Sequence, residues 1–346
     1  MRFSEELINW YLVNKRDLPW RNSRDPYVIW LSEIILQQTR VNQGLDYFNS
    51  FLENFPTVEK LANASESKVL KLWQGLGYYS RARNLHYTAQ FITNKLNGEF
   101  PKKHEDILNL KGVGEYTAAA IASFSYDLPY PVIDGNVYRV LSRIYGITTP
   151  IDSTKGKAEF KKLAFDLLNK SNPAIHNQAI MEFGALQCKP KSPNCNECVF
   201  KLECFALNNN KIELLPIKEK KIKQRDRFFN YLVLNHNGKT CVKQRVDEDI
   251  WKGLYDFPLI ETKQNIIKHE DLFTKKFITL KGKIKLKGKS ETYKHILSHQ
   301  KIYATFWEIE TDNLSELNSD YLKINKEELF NYPVPKLIEN YIKSLV

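Results

Sequence analysis

The sequence predicts a multidomain chain in two parts. Residues 1–205 read as an all-α region closed by a cysteine loop at 188–204; past a linker at 206–227, residues 228–346 read as an α+β domain. Three observations predict this. Apolar residues recur at helical spacing through 27–53, 66–97, 115–126 and 157–170, with little strand alternation. Four of the five cysteines, Cys188, Cys195, Cys198 and Cys204, fall in the single run CKPKSPNCNECVFKLEC. After the polar, charged stretch NNNKIELLPIKEKKIKQRDR the composition turns β-rich.

In the first part, turn signals at Phe55-Pro56, Gly98 to Pro101, Pro129 to Pro131 and Pro150 to Asp152 divide the helices. Met1 to Trp20 carries Glu5, Glu6 and Asp17 among apolar residues, which suits an amphipathic helix and not a signal peptide. No apolar run approaches a membrane span. The expected setting is therefore cytoplasmic and reducing, without a membrane. In the second part, Phe228 to Leu234 reads as a strand, Asn237-Gly238 as a hairpin turn and Thr240 to Arg245 as the return strand. Phe277 to Lys289 and Tyr303 to Glu310 read as further strands, and Glu327 to Leu345 as helical. Lys281, Lys283, Lys285, Lys287 and Lys289 alternate, so they share one side: a solvated edge protected from aggregation, or a stripe that tracks phosphates. Cys241 reads as a buried, inert thiol.

Lys plus Arg outnumber Asp plus Glu 51 to 40, a formal charge of +11. That excess predicts a polyanionic partner, most simply nucleic acid. The cysteine spacing is C-x6-C-x2-C-x5-C. Four thiols this close point to one bound object, zinc or an iron–sulfur cluster. Zinc usually takes two CxxC knuckles and only one is present, so the uneven spacing suits a [4Fe–4S] cluster better. Two disulfides are the plain alternative, and nothing else in the chain suits a secreted protein.

Gly112-Val113-Gly114 forms a GxG turn between two helical segments, as in the helix-hairpin-helix of DNA repair proteins. Its glycines permit a tight turn and leave N–H groups free for a phosphate oxygen. Glu33 lies in WLSEIILQQ, an otherwise apolar helix, where burial would raise its pKa. Asp134, just ahead of a helix, reads by itself as an N-cap.

This helix-hairpin-helix followed by the cysteine loop resembles the endonuclease III superfamily of DNA glycosylases, and within it the MutY-type adenine DNA glycosylases. LPWR at 18–21, WLSEIILQQTRV at 30–41, GLGYYSRARNL at 75–85, GVGEYTAAAI at 112–121, VIDGNVYRVLSR at 132–143, NQAIMEFGALQC at 177–188 and WKGLYDFP at 251–258 carry the match. The resemblance implies a helix-hairpin-helix glycosylase region with a [4Fe–4S] cluster held by the four cysteines, followed by a Nudix-like domain that recognises 8-oxoguanine. It implies a monomer that acts on duplex DNA containing A:8-oxoG or A:G mispairs and is nucleoid-associated through that binding. Glu33 would act on the adenine and Asp134 would stabilise the sugar cation, two carboxylates in different environments as in glycoside hydrolysis. Asn136 would position the water or the sugar. Tyr116 stands where endonuclease III-type enzymes carry a lysine that forms a Schiff base, so a monofunctional enzyme is expected.

The remaining implied contacts are with DNA. Tyr78, beside Tyr79, would wedge next to the lesion, and Gln37 and Gln38 would contact the opposite base. Arg16, Trp20 and Gln178 would line the adenine pocket, and Gly112 and Gly114 would meet the backbone. Ser298 and His299 would touch 8-oxoguanine, with Leu297 in place of the family's phenylalanine. Lys111 stands where the family's hairpins have proline. No RExxEE-like acidic helix is present, so Nudix hydrolysis is not expected. The rival readings are a glycosylase/lyase for oxidised pyrimidines, opposed by Tyr116, and a DNA-binding redox sensor, opposed by the pairing of Glu33 with Asp134.

Overall fold

The computed structural model describes residues 2–219, 224–266, 284–314 and 319–345. They divide into two compact units, Met1–Ala62 with Tyr87–Lys221, and Asn63–His86 with Ile222–Val346. Residues 63–86, in the helical half of the sequence, group with the second unit, and the first unit runs past 205 to Lys221.

The first unit is helical. It contains α1 (Arg2–Asn14), α2 (Pro26–Leu36), α3 (Val41–Asn54) and α4 (Val58–Ala62). The second unit takes α5 (Glu66–Leu72) and the start of α6 (Ser80–Lys95). The first resumes with α7 (His104–Leu108), α8 (Glu115–Tyr126), α9 (Gly135–Tyr145), α10 (Thr154–Leu167), α11 (Pro173–Leu186) and α12 (Phe205–Asn208). Leu7 and Tyr11 of α1, Val140 and Ile144 of α9, Phe160 of α10, and Ile180 and Phe183 of α11 form one buried cluster. Each such side chain removed from water contributes about 1.5–3 kcal/mol before entropy is counted. α2 is buried almost all round, from Tyr27 to Ile35, and packs on α3 and α8. A helix apolar on every face belongs inside a core.

Two expected helical runs are each broken once. Between α2 and α3, Gln38 takes φ +57°. Between α5 and α6, Gly75, Gly77 and Tyr78 take φ +95°, +76° and +47°. Left-handed residues cannot continue a right-handed helix, so each run becomes two helices and an exposed turn. Past the cysteine loop, Ala206 and Leu215 are buried against Cys204, so this part of the expected linker is packed.

The second unit carries eight strands among its described residues: β1 (Arg225–Asn235), β2 (Lys239–Gln244), β3 (Tyr255–Asp256), β4 (Leu259–Thr262), β5 (Ile284–Lys289), β6 (Tyr293–Ile296), β7 (Gln300–Thr311) and β8 (Leu322–Asn325). One sheet runs β4-β1-β7-β5, with β6 also on β7; a second runs β3-β2-β8. β1 and β7 are parallel, from Arg225 opposite Gln300 to Asn235 opposite Glu310. Asn237 and Gly238 do turn the chain, at φ +49° and +76°. The hairpin stops at a single bridge between His236 and Lys239, and β2 pairs instead with β3 and β8.

β5 is an edge strand on which Lys285, Lys287 and Lys289 are exposed and Ile284 and Leu286 half-buried. The expected alternation holds there; Lys281 and Lys283 lie outside the described residues. Lys287 pairs with Glu310 at 2.7 Å and the Lys289 ammonium sits 4.7 Å from the Trp307 ring. Cys241 is fully buried among Leu232, Leu234 and Trp307. Near the C-terminus, a 3-10 turn at Lys326–Asn331 precedes α13 (Lys336–Lys343). Pro333 and Pro335 between them break what the sequence suggests as one helical stretch. Among the described residues no helix is long and apolar enough to cross a membrane.

Candidate active site

α2 begins with Asp25, whose carboxylate accepts the Tyr27 N–H at 2.8 Å, and with Pro26 at its first position. That start places Glu33 on the face turned toward α8, where it is 7% exposed. Burial pushes its carboxyl up to about 7; the hydrogen bond from the Tyr116 hydroxyl opposes this, the Asp134 charge adds to it, and Arg21 opposes it. Tyr116, in the first turn of α8, is driven well above the usual phenol range, first by burial and then by the Glu33 and Asp134 charges. Its hydroxyl also lies 3.7 Å from the Met181 sulfur.

Asp134 caps α9. One carboxylate oxygen accepts the backbone N–H groups of Asn136 and Val137, each at 2.8 Å, and the other accepts the Asn136 side-chain amide at 2.6 Å. Burial pushes its pKa up, and these three donors push back. Donors aimed at the charged form, at a helix N-terminus, favour the anion. Asp134 is thus an N-cap and a neighbour of Glu33 at once.

Asn136 is held in turn. Its side-chain oxygen accepts from Arg139 at 2.8 Å, and the same guanidinium donates to the carbonyls of Gly184 and Cys188, both at 2.7 Å. One turn on, Arg143 donates to the Lys189 and Pro190 carbonyls at 2.8 and 3.1 Å and reaches the Cys188 sulfur at 3.5 Å. Gly184 lets α11 approach: a Cβ there would meet the Asn136 Cβ at 2.6 Å. α9 therefore joins the carboxylate site to the cysteine loop through two arginines.

Glu33, Tyr116, Asp134 and Asn136 share a cavity of about 900 Å³ with Arg16, Trp20 and Gln178. Trp20 packs edge-on against Phe48, 5.2 Å between ring centres. The Gln178 side-chain oxygen accepts from the Tyr11 hydroxyl at 2.7 Å, which leaves its amide N–H groups and one oxygen lone pair for a ligand. Sequence reasoning missed Glu182, which is 1% exposed. It takes forked contacts from Arg16 (2.9 and 2.6 Å) and Arg21 (3.0 and 2.7 Å). Burial alone would raise its pKa, but the two arginines outweigh that and hold it down to about 2. The available signal was the i, i+4 spacing of Gln178 and Glu182 on one helix.

A second cavity, of about 350 Å³, shares Glu33, Leu36, Tyr116 and Asp134 with the first and adds Gln37 and Gln38. Gln37 donates to Thr117 at 3.1 Å, and Gln38 is exposed. In the hairpin, Gly112 takes φ +82°, which only glycine adopts freely. Gly114 caps α8 without a side chain. Lys111 places its ammonium 4.3 Å from the Tyr87 ring. The two tyrosines at 78–79 separate: Tyr79 is buried and its hydroxyl accepts the Gly75 N–H, whereas Tyr78 is 51% exposed. In the second unit, Ser298 and His299 are exposed on the bend between β6 and β7, with Ser298 Oγ 3.3 Å from His299 Nδ1. The His299 carbonyl is fixed by the Arg225 N–H at 3.1 Å.

Cys188 follows α11, Cys195 opens a short 3-10 turn that Cys198 follows, and Cys204 precedes α12. All four are free thiols. Among the described residues, no group of three or more His, Cys, Asp or Glu side chains is itself arranged to hold a metal ion. The four are nevertheless neighbours. Burial pushes Cys188, Cys195 and Cys198 up, Cys198 to about 11, and each also feels the charge of Cys204. One buried and three half-buried thiols that repel one another's charge, beside Arg143, form a donor set that suits a soft, thiolate-bound metal group.

This helical unit with paired carboxylates matches the family model of HhH-GPD superfamily base excision DNA repair proteins over residues 31–164. A NUDIX domain model matches residues 230–344. The chain is 36% identical over 266 residues to the adenine DNA glycosylase of Buchnera aphidicola subsp. Acyrthosiphon pisum, covering 77% of this chain and 76% of that one. With the adenine DNA glycosylase of Buchnera aphidicola subsp. Baizongia pistaciae the identity is 33% over 336 residues, 95% of this chain and 88% of that one. A solved structure of a thermostable thymine-DNA glycosylase superposes with a TM-score of 0.56 at 28% identity, covering 60% of this chain and 95% of that one. The chain belongs to the adenine DNA glycosylase family, hydrolases of N-glycosyl bonds in base excision repair.

Proposed function

We propose that this enzyme removes adenine mispaired with 8-oxoguanine, and more slowly with guanine, from duplex DNA, without cutting the strand. The observation that carries this is the buried Glu33 beside the capped Asp134. Near neutral pH a carboxyl pushed up to about 7 is still partly protonated, while Asp134 keeps three donors suited to its anion. Two carboxylates with separated roles are what N-glycoside cleavage needs. The extruded adenine enters the cavity of Trp20, Arg16 and Gln178. Glu33 gives its proton to the base as the bond between adenine and C1′ breaks, so adenine leaves neutral. The electron-poor sugar forms against the Asp134 carboxylate. Water, oriented with the help of Asn136, adds its oxygen to C1′ and releases a proton, which restores Glu33.

Tyr116 offers no amine, so no Schiff base forms and the abasic strand stays intact. Its hydroxyl instead holds Glu33. The amide groups at Gly112 and Gly114 take a phosphate, Tyr78 and the Gln37–Gln38 turn fill the space left by the extruded base, and Ser298 and His299 read the opposite base. Cys188, Cys195, Cys198 and Cys204 would hold a [4Fe–4S] cluster, which supplies a rigid, charged tie for the basic loop. Arg143 and Arg139 order that loop against α9.

Incubation with duplexes containing A:8-oxoG, A:G, A:T and thymine glycol, read as base release with and without alkali, tests the reading. Release from A:8-oxoG, with strand breaks only after alkali, is expected. Release of thymine glycol with breaks in the absence of alkali would replace it by a glycosylase/lyase.

A further inference from the structure

Tyr78 stands on a turn that is costly to form. It is a non-glycine residue at φ +47°, between Gly77 at φ +76° and a helix start. Local contacts shape the turn. The Trp73 indole N–H donates to the Gly77 carbonyl at 2.9 Å, and the Arg81 guanidinium lies 5.1 Å from the Trp73 ring and 5.6 Å from the Tyr78 ring. A segment as short as 63–86 cannot supply a core of its own. Its anchors come from far along the chain, within the same compact unit. Arg83 donates to the Lys252 carbonyl at 2.6 Å. Lys71 donates to the Tyr332 carbonyl at 3.1 Å, and the Gln74 side-chain oxygen accepts the Val334 N–H at 3.1 Å. Gly253, at φ +85°, approaches so closely that a Cβ would meet Leu70 at 2.9 Å and Glu66 at 3.2 Å.

We propose that the strand-bearing part of the chain holds the Tyr78 turn rigid for base extrusion, with Arg83 and Gln74 as positioning residues that dock it on the backbone of Lys252 and Val334. This deepens the proposed function and rests on Tyr78 acting as the wedge. Unstacking and unpairing a base costs a few kcal/mol, so a wedge on a yielding turn would relax instead of displacing the base. Arg83 reaches the Lys252 carbonyl and Gln74 the Val334 N–H, backbone groups that set the place of the turn, and Gln74 is itself held by the Lys71 ammonium at 3.2 Å. The same residues would leave bond cleavage alone, since none of them lines the adenine cavity.

The test compares single-turnover adenine release on two duplexes, one with A:8-oxoG and one with the same adenine opposite an abasic gap, where it is already unpaired. Arg83→Ala should slow release from the paired duplex about tenfold, the scale of one lost hydrogen bond from a charged group, and leave the unpaired duplex almost unchanged. Arg83→Lys, which keeps a cationic donor, should recover part of the loss. Gln74→Ala should behave as Arg83→Ala in milder form, and it serves if Arg83→Ala does not fold. Equal slowing on both duplexes, or no slowing on either in both variants, would overturn the inference. Tyr78→Ala separates the two claims. If it slows the paired duplex while Arg83→Ala and Gln74→Ala do not, only the docking role is lost. If Tyr78→Ala releases adenine at the wild-type rate, the wedge itself is refuted.

Discussion

The Tyr116 hydroxyl interacts with the Glu33 carboxyl inside a buried site and opposes the rise that burial gives the acid. Burial raises the acid and the phenol lowers it again, so the pair sets where Glu33 titrates. Lysine at position 116 would put a cation there, favour the Glu33 carboxylate and offer an amine to the sugar. Under the proposed function, one residue would govern both the acid and the choice between water and amine as nucleophile.

Glu33→Gln should abolish adenine release and leave DNA affinity nearly intact, because the proton acts in the transition state while phosphate contacts supply most of the binding. In the wild type, release should decline as pH rises through about 7, where Glu33 loses its proton. Tyr116→Phe removes the group that lowers the Glu33 pKa, so the alkaline limb should move to higher pH. Single-turnover rates from pH 5 to 9 check both; an unmoved limb would show that another group titrates.

The same shift has a consequence for stability. Glu33 binds its proton more tightly folded, near 7, than at its ordinary 4.5. The contribution is full below about 4.5 and is lost as pH rises through 7. Glu33→Gln keeps the neutral shape and should be more stable than wild type at pH 8, by on the order of 3 kcal/mol, with little difference at pH 4.5. Denaturant midpoints at the two pH values decide it.

Borohydride should not trap the wild type on DNA, and Tyr116→Lys should gain trapping and some strand cleavage. Efficient trapping of the wild type would count against the monofunctional reading, unless the adduct mapped to another lysine.

The purified protein should be brown, with iron and acid-labile sulfide. Cys198→Ser should lose both. One zinc and no iron would replace the cluster by a zinc site.

The parts of the site visible in the sequence are those with local signatures. Glu33 is a lone charge in an apolar helix, Asp134 sits one residue before a helix start, and the cysteines cluster. Glu182 was hidden because its meaning lies in Arg16 and Arg21, over 160 positions away. Arg139 was hidden because it serves backbone carbonyls, which any sequence supplies. The helix breaks at Gln38 and Tyr78 were obscured by apolar periodicity that resumes in phase on the far side. The docking of 63–86 left no trace because glycine φ values and carbonyl acceptors carry it.

The last prediction concerns the opposite base. Ser298 and His299 sit exposed on a bend whose backbone is tied by the Arg225 N–H to the His299 carbonyl and by the Leu297 N–H to the Gln300 carbonyl. The opposite base differs between 8-oxoguanine and guanine by a few polar atoms, and one lost hydrogen bond is worth about 0.5–1.5 kcal/mol net. Ser298→Ala should therefore shrink the preference for A:8-oxoG over A:G by roughly 2- to 10-fold and leave the A:G rate near wild type, with His299→Ala adding to the loss. A protein cut near Arg225 should still release adenine with a weaker preference. It should also be slower on both mispairs, because it lacks Lys252, Tyr332 and Val334, the partners of Arg83, Lys71 and Gln74. Single-turnover rates on the two mispairs separate the effects: Ser298→Ala changes their ratio, and truncation changes the ratio and both absolute rates. A truncated protein with the full-length preference would remove base recognition from this domain, and one with the full-length A:G rate would remove its hold on the Tyr78 turn.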